Sequence, residues 1–342
     1  MKNNMIAHNL PTIGIEEEEA AIRVLRSKQL SQGEEVEKFE NEFCDYIGLP
    51  HGSAVALSSG TSSLFLSLKI LNATKKNVVF PGYVCSALRH AVSLVGGYEK
   101  IIDIKNNSPN IDFKNIERIG SEISIIPHMY GIPIEINGTE SMIIEDCCQA
   151  LGAKVMNKMV GLQGDVGIYS FYATKLITSG GQGGMLISTN QKYVDAARDY
   201  REFDYRNDKK NRFNFQMTDI QAAIGRIQLK KLPNFIKRRE EIFQYYKKAG
   251  LNLLDINEKD FGKLEPVRYR AILKTDKPRK LLKSLNDLGV NSIIPTEDWE
   301  LLDDWKFLPN SLKFSRETLS LPIYPTLTNE QLDIILSGII IK

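Results

Sequence analysis

The chain has few of the residues that form disulfide frameworks or zinc sites. It contains only four cysteines in 342 residues. Cys147 and Cys148 are adjacent while Cys44 and Cys85 stand alone, so none has the Cys-x-x-Cys spacing of a zinc ligand pair. A disulfide scaffold and a cysteine metal site are therefore both excluded, and we expect an ordinary hydrophobic core and no metal.

An excess of charge of either sign is also missing. The 44 Lys and Arg residues are opposed by 42 Asp and Glu residues, which leaves a formal net charge of +2. A chain so balanced has no overall electrostatic attraction for nucleic acid or for an anionic membrane. We therefore expect neither as a partner.

Long hydrophobic runs and a leader-like amino terminus are not found either. The first nine residues do not show the basic patch and apolar stretch of a secretory signal. The longest apolar run near the carboxyl end, Leu332 to Ile341, is interrupted by polar residues and is about half the length that crosses a bilayer. We expect a cytoplasmic enzyme.

What the chain does have is a series of short apolar runs between Ser53 and Ser188, separated by loops and helical stretches. This alternation is typical of an α/β domain with a mainly parallel sheet, in which ligands collect at the carboxyl ends of the strands. The candidate strands are Ala54–Leu57, Val78–Phe80, Ile101–Ile104, Ile123–Ile126, Met142–Ile144, Val166–Phe171 and Met185–Ser188.

A second, smaller α/β region is predicted in the last third of the chain. The pattern indicates a helix from Thr218 to Leu232, a break at Pro233, and a further helix from Phe235. We take this break as a domain boundary. Residues 12–233 would form the large domain and residues 234–342 the small one.

The first chemical motif follows the first candidate strand. Ser58-Ser59-Gly60-Thr61-Ser62-Ser63 leads from the strand into an apolar helical stretch. Free amides and hydroxyls at a helix start bind phosphate well, because the helix dipole favours negative charge there. The same residues could simply cap the helix.

The second motif is a pair of carboxylates, Glu145 and Asp146, at the end of the fifth candidate strand, with Gln149 three residues beyond. A carboxylate in this position can cap a helix, bind a metal or pair with a bound cation. Because no histidine or Cys-x-x-Cys cluster lies beside it in the sequence, a metal is the poorest of the three.

The third motif is Ser170 and Lys175 at the end of the next strand, followed by the glycine-rich stretch Ser179 to Gly184. A desolvated lysine near other cations has a lowered pKa and becomes a nucleophilic amine. A phosphate cradle, a strand-end aspartate and a strand-end lysine, in this order, are the groups that a pyridoxal phosphate enzyme needs.

With these motifs in place, the chain resembles the DegT/DnrJ/EryC1/StrS family of sugar aminotransferases, within the fold type I aspartate aminotransferase superfamily. The resemblance implies a large α/β/α domain with a mainly parallel sheet and a smaller C-terminal α/β domain. It covers most of the chain and is carried by ordered matches: Leu30-Ser31-Gln32-Gly33, Ser59-Gly60-Thr61, Pro127-His128-Met129-Tyr130-Gly131, Glu145-Asp146-Cys147-Cys148-Gln149-Ala150, Ser170-Phe171-Tyr172 with Lys175, Thr218-Asp219-Ile220-Gln221-Ala222-Ala223-Ile224-Gly225 and Leu319-Ser320-Leu321-Pro322.

Roles for single residues follow from the resemblance. Lys175 would bond the cofactor's aldehyde and then carry the proton during transfer. Asp146 would pair with the pyridine nitrogen and Gln149 would lie near the ring hydroxyl. The residues expected to hold the phosphate are Gly60, Thr61, Ser170 and, from across a homodimer interface, Asn214.

The chain also departs from the family pattern at several places. Cys85 stands where relatives often carry an aromatic ring on the cofactor, so either its thiol packs on the cofactor or Tyr83 supplies the ring. The common Asn-x-Arg is here Asn214-Phe215-Gln216 and lacks its cation. The basic loop from Arg201 to Arg212 is either a solvated turn or a contact for a diphosphate.

The activity that the resemblance implies is transfer of an amino group from glutamate to a keto group of a nucleotide-linked deoxysugar, for surface polysaccharide or a related glycan. An alternative is a regulatory or structural protein that binds the cofactor without turnover, since a fold alone does not fix a function.

Overall fold

All seven predicted apolar runs form strands of one sheet. The structure is a computed structural model that describes residues 5–340, so residues 1–4 of the amino-terminal stretch and residues 341–342 of the predicted small domain lie outside the described part. The strands are β1 (Ala54–Leu57), β2 (Asn77–Pro81), β3 (Tyr98–Ile102), β4 (Ile123–Pro127), β5 (Met142–Asp146), β6 (Lys154–Val155), β7 (Lys158–Met159), β8 (Val166–Ser170), β9 (Gly184–Ile187), β10 (Leu264–Glu265), β11 (Ala271–Lys274) and β12 (Thr318–Leu321).

The helices alternate with these strands and then dominate the second half of the chain. They are α1 (Ile15–Ser27), α2 (Glu34–Ile47), α3 (Gly60–Ile70), α4 (Ala87–Leu94), α5 (Phe113–Ile119), α6 (Gln191–Arg201), α7 (Asp219–Lys248), α8 (Pro278–Asp287), α9 (Pro309–Arg316) and α10 (Asn329–Ile340). Among the described residues, no helix combines the length and the apolar character that a membrane crossing requires.

The large sheet has the strand order β1-β9-β8-β5-β4-β2-β3. The strands from β8 to β3 run parallel, and β9 is antiparallel to both of its neighbours. Alternate residues of β1 belong to two different buried clusters, with Val55 and Leu57 in one and Ala54 and Ala56 in the other. Both faces of the sheet are therefore covered, as parallel sheets require. The predicted α/β class is confirmed.

The predicted break at Pro233 is wrong, because α7 runs through it as one helix of 30 residues. Proline removes one backbone hydrogen bond from a helix, but Leu232 and Phe235 on either side are buried in the core, and α7 packs along α1 and α2. Tertiary packing therefore outweighs the local penalty. The proposed division into residues 12–233 and 234–342 passes through this continuous helix.

The carboxyl-terminal part is built on a separate buried cluster beneath the antiparallel pair β11 and β12. An isolated bridge joins Ile293 to Ser320 of β12. This part also contacts the large sheet, since the amide of Leu302 donates to the carbonyl oxygen of Gly82 just after β2 (3.1 Å). The ends of the large-sheet strands thus lie against the carboxyl-terminal part.

Candidate active site

A cavity of about 230 Å³ lies at the carboxyl ends of the parallel strands. Side chains that follow β2, β4, β5 and β8 meet there with the start of α3. Seven of the eight site residues predicted from the sequence line it: Gly60, Thr61, Cys85, Asp146, Gln149, Ser170 and Lys175. Residues so far apart in the chain are brought together because successive parallel strands end at one edge of the sheet.

The start of α3 forms one wall of the cavity. Ser59 caps the helix by accepting a hydrogen bond from the amide of Ser62 (3.0 Å), so the capping role is real. The amides of Gly60 and Thr61 have no acceptor among the described residues. Two donors at the positive end of a helix dipole therefore remain available to an anion.

Glycine is required at position 60 by close packing. A Cβ atom there would lie 2.8 Å from Cβ of Ser170 and 3.3 Å from Sγ of Cys148. The absence of a side chain lets the start of α3 approach the end of β8. The free amides and the Ser170 hydroxyl consequently belong to one small cradle.

Asp146 and Gln149 form the opposite wall. One carboxylate oxygen of Asp146 accepts a hydrogen bond from the amide of Cys148 (3.0 Å). The side-chain oxygen of Gln149 accepts from the amide of Tyr130 (2.8 Å). Both side chains are held by backbone donors while they line the cavity, so they are oriented before any ligand binds.

Glu145 points to the other side of the strand and has a structural role. It is completely buried and accepts hydrogen bonds from Nε2 of His128 (3.0 Å) and from the amides of Gly161 (2.8 Å) and Gly164 (2.7 Å). Burial by itself raises the pKa of Glu145, but these hydrogen bonds hold it below its usual value. Although Cys147 lies close by, the carboxylate is already occupied by protein donors.

Lys175 lies between the cavity and the aromatic ring of Tyr269, with Nζ 5.4 Å from the ring centroid. Burial lowers the pKa of Lys175, but its electrostatic interactions with Tyr269 first, and with Asp146 among the other acidic groups around it, more than offset that effect. The net effect is a raised pKa. The predicted lowering is wrong because the groups that dominate around the amine are acids, which can carry negative charge, rather than cations.

Cys85, and not Tyr83, stands on the cavity wall. The hydroxyl of Tyr130 donates to the hydroxyl of the fully buried Tyr83 (2.9 Å), whose ring packs edge-on against Phe314. Burial raises the pKa of both Cys85 and Cys148, and the charge of Asp146 raises it further. Both cysteines are therefore neutral thiols at neutral pH.

Asn214 is the one predicted site residue outside the cavity lining. Its side-chain oxygen accepts from the amide of Gln216 (3.0 Å), and the side chain is exposed. The segment is nevertheless close to the cradle, because the amide of Ser58 donates to the carbonyl oxygen of Phe215 (2.8 Å). Asn214 thus faces outward from the molecule next to the start of α3.

Several cations of the basic loop are paired with carboxylates of the loop itself and of the preceding helix α6. Arg212 pairs with Asp199 (2.9 Å) and Asp208 (2.7 Å), and Arg206 and Lys210 also contact Asp199. These ion pairs favour the solvated turn over a diphosphate contact.

Tyr269 is the main neighbour of Lys175 that the sequence did not reveal. It precedes β11, far from the lysine in the chain, and no motif marks it. A tyrosine in an apolar stretch usually signals packing alone. The sequence offered one weak sign, that Tyr269 is flanked by Arg268 and Arg270 in an otherwise strand-like run.

The cavity fits pyridoxal phosphate by the chemistry of its donors. The two free amides of α3 and the Ser170 hydroxyl suit a phosphate, the strand-end carboxylate of Asp146 suits a protonated pyridine nitrogen, and the amine of Lys175 suits an aldehyde. An added Cβ at Gly60 would fill part of the cradle. The wall therefore offers a group for the phosphate, for the ring nitrogen and for the aldehyde.

Comparison with known proteins agrees with this chemistry. Residues 11–339 match the sequence profile of the DegT/DnrJ/EryC1/StrS aminotransferase family. The chain is 27% identical to the spore coat polysaccharide biosynthesis protein SpsC of Bacillus subtilis, over 99% of this chain and 97% of that protein. It is 28% identical to a UDP-4-amino-4,6-dideoxy-N-acetyl-beta-L-altrosamine transaminase of Campylobacter jejuni, over 94% and 93%.

The fold has solved counterparts as well. The aminotransferase TlmJ of Streptoalloteichus hindustanus superposes with a TM-score of 0.89 at 23% identity, over 98% of both chains.

Proposed function

The chain belongs to the DegT/DnrJ/EryC1/StrS aminotransferase family of pyridoxal phosphate enzymes, and on this basis we propose that it transfers an amino group from glutamate to a keto group of a nucleotide-linked deoxysugar. The observation that carries the proposal is the meeting of Lys175 and Asp146 with the α3 cradle in one cavity. The name of the Campylobacter relative, a transaminase of a UDP-linked sugar, supports this class of substrate.

The overall reaction is balanced without an external oxidant. Glutamate loses its amino group and becomes 2-oxoglutarate, and the ketone of the sugar becomes an amine. Pyridoxal phosphate supplies the aldehyde that carries the amino group between them and the ring that withdraws electrons. The aminated sugar would serve the synthesis of a surface polysaccharide or related glycan, as the name of the Bacillus relative suggests.

Six residues of the cavity wall have a role in this reaction. Lys175 takes a proton from one carbon and returns it to another, which a single mobile amine can do in both halves of the reaction. With the cofactor bound, Asp146 would hold the ring nitrogen in its protonated form by its negative charge. Gly60, Thr61 and Ser170 would hold the phosphate, and the thiol of Cys85 would line the space for the ring.

The raised pKa of Lys175 gives Tyr269 a part in the proton transfer. Burial raises the pKa of Tyr269, but the positive charge of Lys175, followed by that of Arg270, brings it below its usual value. The amine must lose a proton before it can attack an aldehyde. Because Tyr269 has the largest electrostatic effect on this amine, we assign it the role of sharing that proton.

We also propose a homodimer in which Asn214 of one protomer binds the cofactor phosphate of the other. The outward position of Asn214 beside the α3 cradle supports this arrangement, since its side chain is exposed and lies outside the cavity of its own protomer. A cytoplasmic location is proposed because all four cysteines are free thiols, as is usual in a reducing compartment.

The experiment is an assay of purified protein with glutamate and a panel of UDP-, GDP- and dTDP-linked 3-keto and 4-keto deoxysugars. We expect glutamate to convert the yellow cofactor form to a colourless one, and one of the keto sugars to restore the colour. Mass spectrometry and NMR of the product then identify the aminated carbon. The absence of a colour change with glutamate and with every keto sugar would refute the proposal.

A further inference from the structure

Two arginines beside Tyr269 are exceptions among the described arginines whose guanidinium groups are wholly or partly buried. The other arginines with largely buried guanidinium groups each pair with carboxylates: Arg201 with Glu40, Arg212 with Asp199 and Asp208, Arg226 with Glu35 and Glu42, and Arg268 with Glu240 and Asp255. Arg239 and Arg270 have no carboxylate partner among residues 5–340, and the Nε atom of each is buried without a hydrogen bond. Buried charges are normally paired, so these two require explanation.

Arg239 is explained by the backbone around it. It is completely buried, and Nη1 donates to the carbonyl oxygens of Arg268 (3.3 Å), Tyr269 (3.3 Å) and Ile323 (2.8 Å). Burial lowers the pKa of Arg239 to about 10, and the nearby charge of Arg270 contributes. It therefore joins α7 to the carboxyl-terminal part and is enclosed by protein.

Arg270 is different, because one edge of its guanidinium makes no hydrogen bond to any described residue. Nη1 lies 3.2 Å from Nε2 of His8 and 3.5 Å from Oγ of Ser320. Nε has no partner, and Nη2 makes no hydrogen bond to any described residue. The Nε and Nη2 edge is the one that pairs with both oxygens of a carboxylate.

The partners that Arg270 does have are uncharged. Burial, the charge of Arg270 and then that of Arg239 lower the pKa of His8 to about 3. His8 is consequently neutral at physiological pH, and Ser320 carries no charge. The positive charge of Arg270 thus remains available to an anion from outside the chain.

Arg270 lies beside the catalytic lysine through two separate connections. The guanidinium carbon of Arg270 and Nζ of Lys175 lie 5.3 Å and 5.4 Å from the centroid of the same Tyr269 ring, so they are at most about 11 Å apart. In addition, Asn9, the neighbour of His8, donates to the carbonyl oxygen of Thr174 (2.8 Å), one residue before Lys175. This upper bound places Arg270 in the neighbourhood of the amine that acts on the amino donor.

The cavity wall itself offers no other cation for such a ligand. Its lining contains one positively charged residue, Lys175, and no arginine. Lys175 must act on the α-carbon of the amino donor and cannot at the same time hold a carboxylate of that donor. A second cation beside Lys175 would supply that contact.

We propose that the free edge of Arg270 binds a carboxylate of the amino-acid donor and so sets its position on Lys175. This inference rests on the proposed transfer from an amino acid to a keto sugar. It adds the residue that selects the donor, and it assigns no role to Arg270 in the sugar half of the reaction.

The test separates the two halves of the reaction in the holoenzyme. Arg270→Gln and Arg270→Lys are compared with wild type in single-turnover reactions followed by cofactor absorbance. We expect Arg270→Gln to raise the glutamate concentration for half-maximal rate by about 10- to 100-fold, the loss expected for hydrogen bonds to a charged group. For Arg270→Lys this glutamate concentration should lie between those of wild type and Arg270→Gln, since lysine keeps the charge but cannot form the bidentate pair.

The sugar half supplies the internal control. Starting from the aminated cofactor, the keto-sugar reaction of Arg270→Gln should stay within about twofold of wild type, a change too small to reflect a lost charged hydrogen bond. The matched surface variant Arg279→Gln, whose side chain is 70% exposed, should leave both halves unchanged. Binding of glutarate, a dicarboxylate without an amine, should weaken in Arg270→Gln.

The outcomes separate this inference from the proposed function. Equal glutamate dependence in Arg270→Gln and wild type would overturn the inference, as would an equal loss in both halves, which indicates a structural role. If Arg270→Gln does not fold, two other results together overturn the inference. They are a glutamate dependence of Arg270→Lys equal to that of wild type, and no binding of glutarate to wild type. A wild-type enzyme that reacts with no amino acid refutes the proposed function instead.

Discussion

The Nζ atom of Lys175 lies 5.4 Å from the centroid of the Tyr269 ring. The ring is buried, and Tyr269 is the largest of the charged influences that raise the pKa of Lys175 against the effect of burial. The amine is therefore held in its protonated form by a residue from the carboxyl-terminal part. This relationship connects the two parts of the chain at the point where the chemistry occurs.

The first prediction concerns this pair. Tyr269→Phe removes the group that can carry negative charge, so the pKa of Lys175 should fall. Since only the unprotonated amine attacks an aldehyde, the apoenzyme variant should capture pyridoxal phosphate at lower pH than wild type. The measurement is the capture rate as a function of pH. Tyr172→Phe, which alters another tyrosine of the cavity wall, is the control and should leave the profile unchanged. The account is contradicted if the pH at which the capture rate is half-maximal is unchanged or higher in Tyr269→Phe than in wild type.

The second prediction concerns the glycine at the start of α3. In Gly60→Ala the new methyl group would meet Cβ of Ser170 at 2.8 Å, and such overpacking costs about 1–3 kcal/mol. We expect the dissociation constant of pyridoxal phosphate to rise about tenfold or more, which corresponds to about 1.4 kcal/mol. Equilibrium titration of the apoenzyme measures it.

The matched control is another glycine at a helix start. Gly14 precedes α1, and a Cβ there would lie 3.7 Å from Glu17, an ordinary contact distance. Gly14→Ala should bind the cofactor as wild type does. If wild type, Gly60→Ala and Gly14→Ala bind pyridoxal phosphate with equal affinity, the cradle is not the phosphate site.

The third prediction concerns the buried Glu145. Glu145→Gln removes a charge that accepts hydrogen bonds from His128 and three backbone amides, and breaking such a buried pair costs about 3 kcal/mol. Urea unfolding at pH 7 measures the loss. The exposed ion pair of Glu265 with Lys154 is the control, and Glu265→Gln should cost less than about 1 kcal/mol.

The same variant should show a defined pH dependence. The folded pKa of Glu145 is below its unfolded value of 4.5, so its contribution to stability is complete above pH 4.5 and is lost as the pH falls through the folded pKa. The stability difference between wild type and Glu145→Gln should therefore shrink in acid. A difference that stays constant from pH 7 to well below 4.5 would exclude a charged Glu145.

Some of the features behind these predictions could be predicted from the sequence, and others could not. The ends of the strands could be predicted because apolar runs followed by polar residues are local, and the parallel arrangement then places Asp146, Ser170 and Lys175 at one edge. Gly60 could be predicted as part of a cradle. No side chain fits there because Ser170 lies too close, and this contact is known only from the fold.

The remaining features depend on contacts between distant parts of the chain. The sign of the Lys175 pKa shift was missed because Tyr269 comes from the other end of the chain. The helix through Pro233 was missed because burial of its neighbours Leu232 and Phe235 outweighs a local rule. The sequence does not distinguish Asp146 from its neighbour Glu145, since both are carboxylates at a strand end. Their side chains point to opposite sides of β5, so that Asp146 lines the cavity and Glu145 is buried in the core.

The fourth prediction concerns the shared site. Lys175→Ala and Asn214→Ala homodimers should each be inactive or nearly so. If Asn214 completes the site of the partner protomer, a mixed dimer of the two variants has one site with both defects and one intact site. Mixing the variants under conditions that exchange protomers should therefore restore activity. No recovery, with exchange confirmed by native mass spectrometry, argues that Asn214 serves its own protomer.

The most direct test of the whole account is to locate the residue that bonds pyridoxal phosphate. The holoenzyme is treated with borohydride, which fixes the cofactor to its lysine, and is then digested and mapped by mass spectrometry. The account predicts a pyridoxyl group on Lys175, with no label in Lys175→Ala. A label on another lysine, or none on the wild-type holoenzyme, would contradict it.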